Sequence, residues 1–221
     1  MKIYDTVLFD LDGTLTESGE GIIKSVQYAL EQFGIREDDT EKLRIFVGPP
    51  LVGSFKKFYG FDQEQAEKAL AYYRERFSTI GIFENALYPS VLEMLKTLCE
   101  KGIRLALASS KPEKYVIEIL KHFQIDPYFS VVTGSTMDEK RTRKVEVIRE
   151  TLYRLGKEED AETVLMVGDT EHDVIGAKEA GIDCIAVTYG YGTIEEIKKT
   201  EPLKIAGSVE ELKEELLALC I

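Results

Sequence analysis

Two carboxylates close the run Val7-Leu8-Phe9-Asp10-Leu11-Asp12-Gly13-Thr14. If the stretch up to about residue 10 is a strand, Asp10 and Asp12 point to the same side, because side chains alternate with period two. An apolar strand that turns acidic at its carboxyl end has the pattern of a buried parallel strand delivering charge to a surface crevice. Neighbouring carboxylates repel and shift each other's proton affinity unless a cation lies between them, which makes metal-assisted or acid–base chemistry one reading. The other reading is an acidic turn in which Asp12-Gly13 is only a turn dipeptide.

The elements that would position these groups follow from the rest of the chain. Its 221 residues, 44% of them hydrophobic, suffice for one sizeable core and a smaller module. With 40 acidic against 28 basic residues the net charge is −12. Such a field repels nucleic acid and anionic membrane, so neither is expected as a partner, and an anionic substrate needs a local positive site. Cys99, Cys184 and Cys220 are far apart and match no zinc or CxxC spacing, as expected of free thiols in a reducing compartment. Asp5, Asp10 and Asp12 interrupt any secretory apolar segment, and no run reaches the ~18 residues of a membrane span. The expected location is the cytoplasm.

The next strand pattern, Ile-Arg-Leu-Ala-Leu-Ala-Ser, lies at 103–109. The helix feeding it opens at Ser90-Val91-Leu92-Glu93, a capping-box spacing, and ends at Gly102. Residues 15–89 therefore exceed a strand–helix–strand unit and read as an inserted helical module. One of its helices shows Ile22, Val26, Ala29, Leu30 and Phe33 on one face, stopped by Gly34. Another shows Ala66, Ala69, Leu70, Tyr73, Phe77 and Ile80, with Asp62 as its cap. Between them Phe46-Val47-Gly48-Pro49-Pro50-Leu51 reads as a rigid turn with apolar flanks. From residue 113 onward, helical patterns at 113–123, 144–155 and up to Ala180 alternate with strands at 130–133, 163–167 and 184–187. A helix opened by Thr193-x-x-Glu196, a short strand near Ile205 and a terminal helix opened by Ser208-x-x-Glu211 complete the chain. This alternation predicts a doubly wound parallel α/β sheet.

In such sheets ligands bind where the strands end. The first strand brings Asp10 and Asp12 there, and the second brings Ser109 and Ser110. After the third comes Asp138-Glu139-Lys140-Arg141-Thr142-Arg143-Lys144, and the fourth ends in Gly168-Asp169-Thr170-Glu171-His172-Asp173. Carboxylates, a hydroxyl and a cationic run thus converge on one edge. Ser110, with Pro112 and Glu113 after it, reads as a helix cap. Asp173 reads as a metal ligand, as a residue behind the ligands, or as a helix N-terminal carboxylate, the second being preferred. His172 reads as an exposed helix-start residue. Gly190-Tyr191-Gly192 lacks the dinucleotide fingerprint and reads as a loop.

Four motifs taken in order resemble the haloacid dehalogenase superfamily, in particular its phosphoglycolate phosphatase-like branch. These are Asp10-Leu11-Asp12-Gly13-Thr14, Ala108-Ser109-Ser110-Lys111-Pro112, Lys144, and Gly168-Asp169 followed by Asp173. The resemblance spans essentially the whole chain, with Ser109 where threonine is commoner and Glu17-Ser18 where Asp-Ser is frequent. It implies a Rossmann-like α/β core over 1–15 and 87–221 with a small α-helical cap inserted after the first strand, over 16–86. It further implies a Mg²⁺-dependent phosphomonoesterase acting on a small phosphate ester.

Asp10 would attack phosphorus to give an aspartyl-phosphate. Asp12 would protonate the leaving oxygen and later activate water. Mg²⁺ would lie between Asp10 and Asp169 with the backbone carbonyl of Asp12, and Asp173 would ligate it or stand behind. Ser109, Lys144 and the backbone around Gly13 and Thr14 would hold the phosphoryl group. Phe46, Gly48, Pro49 and Arg141 are candidates for substrate contact, with hinges near Thr16 and Phe83.

The expected substrate is 2-phosphoglycolate, with nucleoside 5′-monophosphates the alternative. A phosphomutase resembling β-phosphoglucomutase would use the same residues. A haloacid dehalogenase would need neither Asp12 nor Asp169, and a non-enzymatic phosphoacceptor module would need neither the cap nor Asp12. The oligomeric state is not legible in the sequence.

Overall fold

The computed structural model describes residues 3–138 and 140–221. Glu139, part of the charged run noted above, lies outside the described residues. The chain divides into two compact units, Met1–Thr16 with Leu87–Ile221, and Glu17–Ala86.

In chain order, β1 (Thr6–Phe9) and β2 (Thr16–Glu17) precede α1 (Gly19–Glu31), α2 (Thr40–Leu43), α3 (Leu51–Tyr59) and α4 (Gln63–Phe77). Then come β3 (Ala86–Leu87), α5 (Val91–Glu100), β4 (Arg104–Pro112), α6 (Glu113–His122), β5 (Val131–Ser135) and α7 (Lys144–Leu155). The chain closes with β6 (Val164–Gly168), α8 (Glu171–Ala180), β7 (Asp183–Val187), α9 (Ile194–Lys199), β8 (Lys204–Ala206) and α10 (Val209–Cys220).

The larger unit is the expected α/β architecture. Its six strands run in the order β5-β4-β1-β6-β7-β8, all neighbours parallel. β1 is buried throughout and sits between β4 and β6, with Phe9 level with Leu107 and Val167. Parallel strands in register end on one edge, so the residues following β1, β4 and β6 emerge side by side. One sheet face, with Leu8, Ala106, Met166 and Ala186, packs on Val147, Ile148 and Leu152 of α7 and on Val174 and Ala177 of α8. α7 ends on Gly156 and α8 on Gly181, both left-handed, a conformation in which a β-carbon would be strained. At α9 and α10 the caps form as read, Thr193 accepting from the Glu196 N–H and Ser208 from the Glu211 N–H.

Two caps differ from expectation. Ser90 precedes α5 but is left-handed, and its hydroxyl donates to Glu210 instead of capping the helix. Ser110 caps nothing, because β4 runs on to Pro112 and α6 starts from that proline.

In the helical unit α1 and α4 bury the faces predicted for them, except that Phe33 and Ile80 lie beyond the helix ends and Ile80 is exposed. Asp62 forms a reciprocal capping box with Gln65, its carboxylate accepting from the Gln65 N–H at 2.8 Å. The segment read as a turn with apolar flanks instead leads into α3, which starts directly after Pro50. Prolines lack the N–H that a first helical turn leaves unpaired, so they open a helix as readily as a turn. Phe46 is 1% exposed, with its ring 5.1 Å from that of Phe55 and 5.9 Å from that of Phe58. It is a core residue of this unit, a correction to its assignment as a substrate contact. Gly48 is exposed and left-handed, and Pro49 is half-buried.

All three cysteines are free thiols. Among the described residues no helix is long and apolar enough to cross a membrane.

Candidate active site

Asp10 directly follows β1 and donates its N–H to the Val167 carbonyl of β6 at 2.9 Å, which anchors it at the strand edge. Asp169 directly follows β6, and Asp173 lies one turn on, in the first turn of α8. A β-carbon on Gly168 would lie 2.2 Å from Asp173 Cγ, so only glycine there lets α8 bring this carboxylate to the strand end. Asp10, Asp169 and Asp173 each offer an oxygen within 4.8 Å of the others, and all three are buried.

Lys144, the first residue of α7, enters this cluster from the side. Its Nζ lies 2.9 Å from Asp10 Oδ1 and 2.7 Å from Asp173 Oδ1, and donates a hydrogen bond to the Ala108 carbonyl at 3.2 Å. Asp10 Oδ1 and Asp173 Oδ1 are buried and share this one ammonium as their counter-charge. Asp173 Oδ2 is otherwise engaged, accepting from the Thr170 N–H at 3.0 Å and from its hydroxyl at 2.8 Å. Asp173 thus caps α8, pairs with Lys144 and lies in the acidic cluster.

Burial governs the protonation of the cluster. It pushes Asp10 up to about 6, with Lys144 opposing and the charges of Asp173 and Asp12 adding. Burial also raises Asp169 well above the usual carboxylate range, reinforced by the charges of Asp173 and Asp10. Burial alone would lower Lys144, but the Asp10 and Asp173 carboxylates outweigh it and hold the ammonium charged.

The cluster fits a hard divalent cation. Its donors are all oxygens, three buried carboxylates meet there against a single ammonium, and the carboxylates resist ionising beside one another. Asp10, Asp169 and Asp173 are the side chains that would hold Mg²⁺. The carboxylate of Asp12 is not in this set, because it is bound elsewhere.

That partner is Lys111, named in the sequence only as part of a motif. Its Nζ lies 3.0 Å from Asp12 Oδ1 and 2.8 Å from Oδ2, and both side chains are almost fully buried. Ser109, 1% exposed, accepts a hydrogen bond from the Lys111 N–H at 3.3 Å, which leaves the serine hydroxyl proton to donate elsewhere.

Gly13 and Thr14 serve the site differently from expectation. Their N–H groups donate to the carbonyls of Thr16 at 2.8 Å and Leu11 at 3.2 Å, so neither amide faces an incoming anion. Instead the Thr14 hydroxyl donates to Asp169 Oδ1 at 3.4 Å, and Gly13 gives room to the same carboxylate. The loop Gly190-Tyr191-Gly192 also supports Asp169, since the Tyr191 N–H donates to its Oδ2 at 2.8 Å. Nothing in the linear pattern ties residue 191 to residue 169. The two-glycine signature of a close backbone approach was the one clue.

Arg141 is also corrected. Its guanidinium donates to the Gly134 carbonyl at 3.2 and 3.0 Å and pairs with Glu113 at 3.5 Å and Glu150 at 3.7 Å. It pins β5 and α6 together and makes no contact with the carboxylate cluster. His172 is exposed, its Nε2 3.5 Å from Oε1 of its neighbour Glu171.

Residues 7–187 match the profile of the family described as haloacid dehalogenase-like hydrolase. A protein of Pseudomonas aeruginosa named 5′-nucleotidase is 42% identical over 213 residues, covering 96% of each chain. One from the same species named phosphoglycolate phosphatase 1 is 31% identical over 215 residues, covering 93% of this chain and 77% of the other. The crystal structure of a predicted phosphatase from Clostridium acetobutylicum superposes with a TM-score of 0.94 at 44% identity, covering 98% of this chain and 100% of that one.

Proposed function

The chain belongs to the haloacid dehalogenase-like hydrolase family, and from that premise we propose that it hydrolyses small phosphate monoesters through an aspartyl-phosphate on Asp10. One observation carries the reading: three buried carboxylates and an ammonium meet at the ends of β1 and β6, beside a fourth carboxylate held apart by its own lysine.

An Asp10 oxygen forms the bond to phosphorus as the ester P–O bond breaks. Asp12 gives its proton to the departing oxygen, then takes one from the water that attacks the aspartyl-phosphate and releases inorganic phosphate. Ser109 Oγ donates to a phosphoryl oxygen, and Lys144 supplies the positive charge that the −12 surface lacks. Asp10, Asp169 and Asp173 would hold a divalent cation, which would neutralise the negative charge gathered there. A dehalogenase has no use for the acidic cluster, and a passive phosphoacceptor has none for the paired Asp12.

Nucleoside 5′-monophosphates are proposed as the substrate class. The support is the 42% identity, over nearly the whole of both chains, to a protein named 5′-nucleotidase. The order of preference drawn from the motifs alone is thereby reversed, with 2-phosphoglycolate as the second reading on the 31% relative. The helical unit, Glu17–Ala86, is proposed as the part that selects among substrates. Phosphate release by the purified protein with Mg²⁺ over adenosine, guanosine, cytidine and uridine 5′-monophosphates and 2-phosphoglycolate tests the assignment. A higher kcat/KM on the nucleotides supports it, and a higher value on 2-phosphoglycolate selects the second reading. Absence of turnover on every ester overturns the enzymatic reading.

A further inference from the structure

Lys111 owes its place to an irregularity in β4. Between the Ala108–Thr133 and Pro112–Ser135 pairings β4 advances four residues while β5 advances two, so β4 carries two extra residues there. The hydrogen bond from the Lys111 N–H to Ser109 Oγ closes this bulge from within. Bulges re-aim side chains, and proline, which cannot donate to a ladder, is tolerated at them. The result is a lysine buried to 9% exposure whose ammonium spans both oxygens of Asp12.

A buried ammonium is costly unless a partner compensates it, so a lysine placed here binds its carboxylate tightly. Meeting both oxygens, it holds the Asp12 carboxylate in place. Asp12 is thereby kept off Asp10, Asp169 and Asp173, which gather among themselves and around Lys144.

We propose that Lys111 is the positioning residue of Asp12: the β4 bulge carries its ammonium to the carboxylate and sets the direction in which Asp12 transfers its proton. The inference rests on the phosphomonoesterase reading. In the first step the Asp12 proton moves to the ester oxygen as the P–O bond breaks, and one Asp12 oxygen stays on Lys111 throughout. In the second step that carboxylate recovers a proton from water. A misdirected Asp12 slows only those esters whose leaving oxygen needs the proton. An alkyl alcohol needs it, and p-nitrophenolate does not.

The test compares wild type, Lys111→Met, Lys111→Arg, Asp12→Asn and the Asp12→Asn/Lys111→Met double variant on an alkyl phosphate and on p-nitrophenyl phosphate. Lys111→Met is expected to lose roughly 10²-fold in kcat on the alkyl ester and little on the aryl ester, with KM nearly unchanged. The double variant should be no slower than Asp12→Asn, and Lys111→Arg should recover part of the loss. Equal losses on both esters, or a change confined to KM, would overturn the proposal in favour of a structural or substrate-binding lysine. A crystal structure of Lys111→Met provides a readout independent of turnover. A displaced Asp12 carboxylate supports the proposal even if the wild type hydrolyses none of these esters, an outcome that would defeat the phosphomonoesterase reading alone. An unmoved carboxylate overturns the proposal whatever the activity.

Discussion

Gly13 and Asp169 are in such close contact that a β-carbon on Gly13 would lie 2.0 Å from Asp169 Oδ2. Gly13 is also left-handed, with φ at 81°. The Asp169 carboxylate cannot swing aside cheaply, being buried and held by the Tyr191 N–H and the Thr14 hydroxyl. The turn after β1 and the end of β6 are thus fitted to one another, and glycine is the only residue that satisfies both backbone and contact.

Gly13→Ala should therefore act through Asp169. The backbone strain costs about 1–2 kcal/mol, and relieving the overlap displaces a carboxylate of the acidic cluster. The expected outcome is a lower melting temperature together with weakened Mg²⁺ binding by calorimetry. Unchanged Mg²⁺ affinity in a folded variant would contradict the fitted contact.

Mg²⁺ should stabilise the protein more at high pH than at low pH. Burial raises Asp10 from its ordinary 3.8 to about 6, so the folded protein binds protons that the unfolded chain releases. Without metal, the contribution of this group to stability therefore falls as pH rises through that window, and Asp169 acts in the same direction. A cation compensates the charges left above it. At free Mg²⁺ 100-fold over its Kd the gain is about 2.7 kcal/mol. For a chain of this size that is roughly 5–10 °C in melting temperature. Thermal melts with and without Mg²⁺ at about pH 8 and about pH 5 check the sign, and an equal shift at both would contradict it.

Lys144→Met should be strongly destabilising in the metal-free protein. It leaves Asp10 and Asp173 buried without their shared counter-charge, and breaking such a pair from one side costs about 3–5 kcal/mol. Urea denaturation should show a lower midpoint, partly restored when Asp10→Asn is added. An unchanged midpoint would show that the ammonium contributes nothing to folding.

Phe46 should matter to stability and not to substrate affinity. Removing its buried ring in Phe46→Ala is expected to cost about 3–5 kcal/mol, whereas Phe46→Leu, which keeps most of the buried apolar volume, should cost less. Denaturation curves measure both. A large change in KM in a stable Phe46→Leu variant would return the residue to the substrate-binding role its motif suggested.

What could be read in the sequence was whatever local pattern determines. Asp10, Lys144 and Asp169 were legible because each follows a strand or starts a helix whose period is plain, and Ser109 because it ends the plain apolar run of β4; parallel strands carry such residues to one edge. Lys111 was not legible as a functional group. Its aim depends on two extra residues in β4, and a bulge leaves the alternation of side chains unreadable beyond it. The tie between Tyr191 and Asp169 joins residues 22 apart through a loop amide, which has no side-chain signature. Arg141 was misjudged because its charge marked it for an anion, while Glu113, Glu150 and the Gly134 carbonyl hold it elsewhere. α3 was hidden behind Pro49-Pro50, which signal a turn and a helix start equally well.

The central claim is that Asp10 becomes covalently phosphorylated during turnover. The most direct measurement is an acid quench of the enzyme during steady-state hydrolysis of a nucleoside 5′-monophosphate, followed by peptide mapping by mass spectrometry. A phosphoryl group is expected on the peptide that contains Asp10, and none when Asp10→Asn is treated the same way. Phosphorylation of another residue, or Asp10→Asn turning over at the wild-type rate while folded, would contradict it.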